Sequence, residues 1–247
     1  MPLALALSPH LDDAAFSCGG TLAALAADGW EVVVATLFTA SVEAPTGFAL
    51  ACQTDKGLPA AADYMAIRRA EDAEACRRLR ARPVWLPFRE APHRGYASAA
   101  ALFGPLRSDD AAHLDLAQAL EPLLAERQPD LLLAPQAIGG HVDHVQAVRA
   151  LHLLRPSGPV LWWQDFPYLA KRVTHPARPF EGAMAALPED ARPIRVEPKR
   201  HACAAYETQL GFQFGGPDGM ARALADAGPR EFFRRAGTAG AAAVAAA

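Results

Sequence analysis

The chain of 247 residues carries a net charge of −3, is 51% hydrophobic and 21% charged, and holds four cysteines and eight histidines. That length and apolar share fit one α/β domain with a substantial core, and they exclude a disordered or fibrous chain. The near-neutral charge excludes the basic footprint of a nucleic-acid-binding protein, and no uncharged apolar run reaches the roughly 18 residues of a membrane span.

"LALAL" at 3–7 predicts a buried strand, and "AAFSCGGTLAALAADG" at 14–29 a helix stopped by Gly29. The β-branched run "EVVVATLF" at 31–38 predicts a second buried strand. Residues 41–62, with Pro, Gly and Thr, read as a loop. "DYMAIRRAEDAEACRRLRA" at 63–81 predicts an amphipathic helix with Met65, Ala66, Ala70, Ala73 and Leu79 facing inward. A short strand at 83–88, an irregular loop at 91–108, a helix at 109–128 and a strand at 130–135 follow. A helix at 141–154 and a strand at 159–164, with at least one of Trp162 and Trp163 a core residue rather than a sugar-stacking platform, close the clear pattern. Over 165–235 many Pro and Arg obscure the periodicity, and only a helix near 199–210 stands out. Asp165 and Tyr168 lie just past a strand end, which predicts a place at a rim. Residues 236–247, "AGTAGAAAVAAA", are a low-complexity tail. Repeated β-then-α predicts one domain over 1–235, a mainly parallel sheet with helices on both faces.

The cysteines, at 18, 52, 76 and 203, have no CxxC spacing. They read as reduced thiols of a cytoplasmic protein, and the N-terminus lacks the basic region of a signal peptide.

Two predicted strands run straight into ionisable residues. Strand 3–7 leads to His10, Asp12 and Asp13; strand 130–135 leads to His141, Asp143 and His144. In an open parallel sheet both ends lie on one edge, where ligands bind. Imidazole and carboxylate suit zinc and other divalent transition metals. The spacing of His10 and Asp13 puts both on one side of a helical turn, and His144 can add a third ligand. Three protein ligands leave a position for water, whose pKa zinc lowers to about 7. A spare carboxylate is then placed as general base, His141 as oxyanion donor or acid, and Asp143 as the partner that fixes a histidine tautomer. Spacing alone leaves open which of Asp12 and Asp13 is ligand and which is base. The plainer reading is that either caps the helix behind it.

The segments "PHLDDA" and "HVDH" resemble the two motifs, (A/S)-H-P-D-D-E and H-x-D-H, of the PIG-L/LmbE-like N-acetylglucosaminyl deacetylases. The likeness extends through Arg68, Glu71, Ala75 and Leu79, and through Lys199, Ala202, Tyr206 and Gln209, so it covers roughly residues 3–210. It implies a Rossmann-like single domain and a zinc-dependent hydrolase, with Fe²⁺ also suited to the site, that removes the acetyl group of an N-acetylated amino sugar. By motif position His10, Asp13 and His144 bind the metal and Asp12 is the base. His141 serves as oxyanion donor or acid, oriented by Asp143. Arg68, Lys199 and Tyr206 stand near the substrate. The implied partner is a small molecule, with a homo-oligomer common among such enzymes. The chain departs from the pattern at Leu11, at Ala14 and in "AIGG" before His141, which lacks the Tyr or Arg some members carry there.

Other function classes lack their signatures. No G-x-G-x-x-G or G-x-x-x-x-G-K-[ST] marks a nucleotide-binding module, and no G-x-S-x-G marks a serine hydrolase. A non-catalytic metal-binding module, or an amidase on a non-sugar amide, remains as the alternative.

Overall fold

Runs of small and β-branched residues build the first strands, β1 (Leu3–Ser8) and β2 (Glu31–Thr36), with helix α1 (Asp13–Ala27) between them. In the computed structural model, which describes residues 1–170 and 177–237, the chain continues through α2 (Gly47–Thr54), α3 (Tyr64–Leu79), β3 (Arg82–Trp85) and α4 (Ala99–Leu102). Then come α5 (Ala112–Arg127), β4 (Leu131–Pro135), α6 (Val142–Leu154), β5 (Val160–Trp163), α7 (Phe166–Ala170) and α8 (Glu181–Ala185). The described chain ends with β6 (Glu189–Pro193), α9 (Val196–Cys203), α10 (Glu207–Phe214), α11 (Pro217–Ala227) and β7 (Arg230–Ala236).

The sheet order is β3-β2-β1-β4-β5-β7-β6. The first five strands are parallel and the last two antiparallel, so the sheet is mainly parallel as expected. β1 pairs with β2 on one side and β4 on the other. The order therefore reverses at the β1/β4 boundary, the switch point where open α/β sheets bind ligands beyond the strands' carboxyl ends. Side chains alternate between two apolar layers. Ala4, Ala6, Val32, Val34 and Leu133 pack under α1, α3, α9 and α11. Leu5, Leu7, Val33, Ala35 and Leu132 pack under α5 and α6. Trp162 and Trp163 are core residues, one in each layer.

Several elements differ from the sequence expectation. The 41–62 loop contains α2, and the 91–108 loop contains a 3₁₀ turn (Ala91–Arg94) and α4. The helix expected near 199–210 divides into α9 and α10. The obscure 165–235 region supplies both antiparallel strands, whose charged residues hide the strand period. The Ala-rich tail from 238 onward lies outside the described residues. On α3 the inward face is Met65, Arg68, Asp72, Ala75, Cys76 and Leu79, while Ala66 and Ala70 are exposed and Ala73 is half-buried. The helix thus carries an arginine and an aspartate on its buried side.

α1 is kinked at Cys18 (φ −132°, ψ 17°), and buried Glu231 of β7 caps the half beyond. It accepts from the Gly20 and Thr21 N–H groups at 2.9 and 2.8 Å and from Lys199 Nζ at 2.8 Å. Gly20 carries no side chain because a Cβ there would lie 2.5 Å from Ile194 Cδ1. Glu231→Ala leaves Lys199 charged, buried and unpaired, an expected loss of about 3–5 kcal/mol. Urea unfolding reads this directly; an unchanged midpoint would overturn it.

Candidate metal centre

The loop from β1 into α1 carries His10, Asp12 and Asp13; the loop from β4 into α6 carries His141, Asp143 and His144. The structure brings all six together across the switch point. A cavity of about 280 Å³ opens there, walled also by Arg68, Glu90, Phe103 and Tyr168.

Asp13 lies at the centre of the cluster. Its Oδ2 is 3.1 Å from His10 Nδ1 and 3.1 Å from His144 Nε2, and it accepts the His10 backbone N–H at 2.8 Å. The far nitrogen of each ring is held by a carboxylate. His10 Nε2 meets Asp143 Oδ2 at 2.9 Å, and His144 Nδ1 meets Asp165 Oδ1 at 2.7 Å. These contacts fix both tautomers, so His10 Nδ1 and His144 Nε2 turn their lone pairs toward Asp13 when the rings are neutral. His144 Nε2 is buried and makes no hydrogen bond. Tetrahedral ligands at 2.0–2.1 Å from a zinc ion stand about 3.3 Å apart, close to the spacing found here. His10, His141 and His144 form a second, looser set whose nitrogens lie within 4.8 Å of one another. Either set fits a divalent transition metal.

Asp12 stands at the cap position of α1, yet its carboxylate makes no capping bond. Ser8 Oγ accepts the Ala14 N–H instead, at 3.0 Å. The plainer reading of Asp12 as a helix cap therefore fails, and the carboxylate is left for the cavity. Its nearest charged neighbour is Arg68, with Nη2 at 3.6 Å, and Arg68 in turn pairs with Glu90. Burial, opposed by Arg68, pushes the Asp12 carboxyl up to about 6.

The other titrations follow from the same contacts. Burial lowers the basicity of His10, but Asp13 and Asp143 outweigh it and hold the ring well above its usual value. Burial likewise works against charged His144, and Asp13 and Asp165 lift it to about 9. His141 has no carboxylate partner, and burial beside His10 pushes it down to about 3.

The resemblance has Asp143 orienting His141; the structure corrects this. The Asp143 carboxylate faces His10, Arg94 Nη1 at 2.8 Å and the Ala91 N–H at 3.0 Å. Only its backbone N–H reaches His141, donating to Nδ1 at 3.2 Å. A neutral His141 therefore carries its proton on Nε2. Lys199 and Tyr206 are also placed away from the substrate cavity. Lys199 is buried in the ion pair with Glu231, and the Tyr206 hydroxyl donates to Asp72 at 2.8 Å. Arg68 does reach the cavity. Asp165, expected at a rim, is instead fully buried behind His144. Arg94 and Glu90 escaped sequence reading altogether; "APHRGY" looked like plain loop, and a basic residue inside it was the one available signal.

A family model described as PIG-L, GlcNAc-PI de-N-acetylase, matches residues 5–153, more than half of the chain. The chain belongs to the PIG-L family. The PIG-L match spans both motif loops. The 2'-N-acetylparomamine deacetylase of Streptomyces fradiae is 34% identical over 172 residues, 68% of this chain. The match spans 58% of the length of that relative. Among solved structures, an A40926 pseudoaglycone deacetylase superposes with a TM-score of 0.76 at 28% identity, covering 95% of this chain and 97% of that one. A teicoplanin deacetylase in its zinc-inhibited form gives 0.78 at 24% identity, covering 95% and 98%, a likeness of fold.

Proposed function

We propose that this PIG-L member is a metal-dependent deacetylase that hydrolyses the acetamide of an N-acetylated amino sugar within a larger conjugate. The observation that carries this reading is the Asp13 carboxylate, 3.1 Å from nitrogens of two imidazole rings whose tautomers are set by Asp143 and Asp165, with Asp12 beside it making no capping bond and paired only with Arg68 at 3.6 Å.

His10, Asp13 and His144 are the ligands in this reading. His141 is not, because its Nδ1 accepts a backbone N–H and its Nε2 therefore holds a proton rather than a lone pair. A divalent transition metal bound there lowers the pKa of a water to about 7 and polarises a carbonyl oxygen. Asp12 takes a proton from the attacking water and gives it to the departing amine; a carboxyl with a pKa near 6 suits both transfers. Neutral His141 donates its Nε2–H to the carbonyl oxygen as negative charge gathers there. Arg68 and Glu90 fix the charge around Asp12.

The cavity is large enough for one sugar ring rather than a whole glycoconjugate. Phe103 and Phe212, 44% and 65% exposed, stand at its edge and offer apolar surface to the rest of the molecule. The named relatives support this class, one a deacetylase of 2'-N-acetylparomamine and another of the A40926 pseudoaglycone. No helix of the described residues is long and apolar enough to cross a membrane, and the four free cysteines support the cytoplasmic setting.

The test is acetate release from a panel of N-acetylglucosamine conjugates, with zinc, Fe²⁺ or Co²⁺ added singly and with chelator. Release that needs a metal and stops with chelator is expected. Binding of metal with no release from any conjugate would sink the reading in favour of a binding module or an amidase on other amides.

A further inference from the structure

The chain has four tyrosines, and three have engaged hydroxyls. Tyr206 donates to Asp72, Tyr96 donates to Asp110, and Tyr64 accepts from Gln209. The hydroxyl of Tyr168 has no hydrogen-bond partner among the described residues, although the ring lines the cavity that holds Asp12, Asp13 and His141.

The ring itself is firmly seated. It meets His144 edge-on, centroids 5.5 Å apart, and Phe103 edge-on at 5.6 Å. Phe103 also meets His141 edge-on at 5.3 Å. Phe103 thus links the His141 and Tyr168 rings in a single wall of the cavity. Gly139, at φ +99°, provides the floor: a Cβ there would lie 2.7 Å from Tyr168 Cγ and 3.0 Å from both Cδ atoms. Any side chain at 139 would evict the phenol. Tyr168 therefore fills the space beside the His141 loop that "AIGG" leaves empty. It is also tied to the metal centre through the backbone, since its N–H donates to the Asp165 carbonyl at 3.2 Å.

We propose that Tyr168 is a catalytic residue whose hydroxyl donates a hydrogen bond to the acetamide oxygen alongside His141. The inference rests on the deacetylase reading above. In the step concerned the water oxygen bonds to the carbonyl carbon, and the C=O π pair moves onto oxygen. The water proton goes to Asp12. Collapse then re-forms the C=O and breaks the C–N bond while the nitrogen takes that proton, and the acetic acid released passes its remaining water proton to the amine, leaving acetate and an ammonium group. Tyr168 transfers no proton; a phenol stays protonated at neutral pH and serves as a fixed donor to the oxygen while it carries charge. Such donors act on the transition state more than on the bound substrate.

Tyr168→Phe is the test, since it removes one oxygen and keeps the ring contacts. With a conjugate that the wild type deacetylates, kcat should fall about 10²–10³-fold, the usual effect of losing one such donor, with KM changed less than about threefold. Metal content should stay at the wild-type level. A second readout is methylphosphonate, a tetrahedral mimic of hydrated acetate, whose Kd for the metal-loaded protein should rise at least about tenfold in the variant. Wild-type kcat in Tyr168→Phe, or unchanged methylphosphonate affinity, overturns the assignment. Metal-loaded wild-type protein that deacetylates no conjugate overturns the deacetylase reading itself, a different result from active wild type with an indifferent Tyr168.

Discussion

Asp12→Asn should bind metal as the wild type does and turn over about 10²–10⁴-fold more slowly, the usual contribution of a positioned base. The side chain makes no capping bond, so the isosteric amide disturbs little of the fold. Nor is Asp12 in the tight cluster around the Asp13 oxygen, so the ligand set is untouched. What the amide lacks is basicity, and nothing nearby supplies it. Glu90 is already paired with Arg68, the Asp143 carboxylate is shared between His10 and Arg94, and neutral His141 offers a proton rather than a lone pair. Metal stoichiometry and steady-state kinetics on the same preparation decide the matter. Near-wild-type kcat with full metal would transfer the base role elsewhere; loss of metal would mean that Asp12, not only Asp13, holds it.

The parts of this site legible in the sequence share one physical cause. A buried parallel strand is a continuous apolar run, so its end is easy to see, and six of the residues stand within a few positions of such ends. The choice between Asp12 and Asp13 was not legible, because both are one residue from the right place. It turns on which carboxylate meets both histidines and which one the helix leaves uncapped. Asp165, Arg94 and Glu90 are single polar residues in segments without periodicity, and only the folded loops bring them to His144, Asp143 and Arg68 respectively. Lys199 and Tyr206 show the opposite problem. Each lies in a motif at helical spacing, and sequence does not distinguish a charge buried against Glu231 or a hydroxyl bound to Asp72 from a substrate contact. α2 was hidden because its neighbours are Pro, Gly and Thr, and the inward face of α3 because it buries the polar Arg68 and Asp72 and leaves Ala66 and Ala70 exposed.

His144→Ala should purify without stoichiometric metal and release no acetate above background, whereas His141→Ala should keep its metal and lose only rate. The contrast separates the two possible ligand sets, because both contain His10 and His144 and differ in Asp13 against His141. In the Asp13 set, removing His144 deletes one of three bonds. It also strands Asp165, a fully buried carboxylate whose other partner is the Ile138 N–H at 2.8 Å. Asp165→Asn tests that support separately. The ring keeps a neighbour but loses the anion that fixes its tautomer, and metal affinity should weaken about 10–100-fold, as is typical when the residue behind a ligand is changed. In the other set, His141→Ala would be as damaging to metal binding as His144→Ala. Metal analysis after gel filtration, with thermal unfolding as a check on the fold, reads all three variants. Retained metal in His144→Ala removes it from the ligands, and lost metal in His141→Ala promotes it to one. The backbone N–H of Asp143 favours the Asp13 set: it donates into His141 Nδ1, the proton of the neutral ring sits on Nε2, and that side of the ring is left to hold an oxygen rather than a metal.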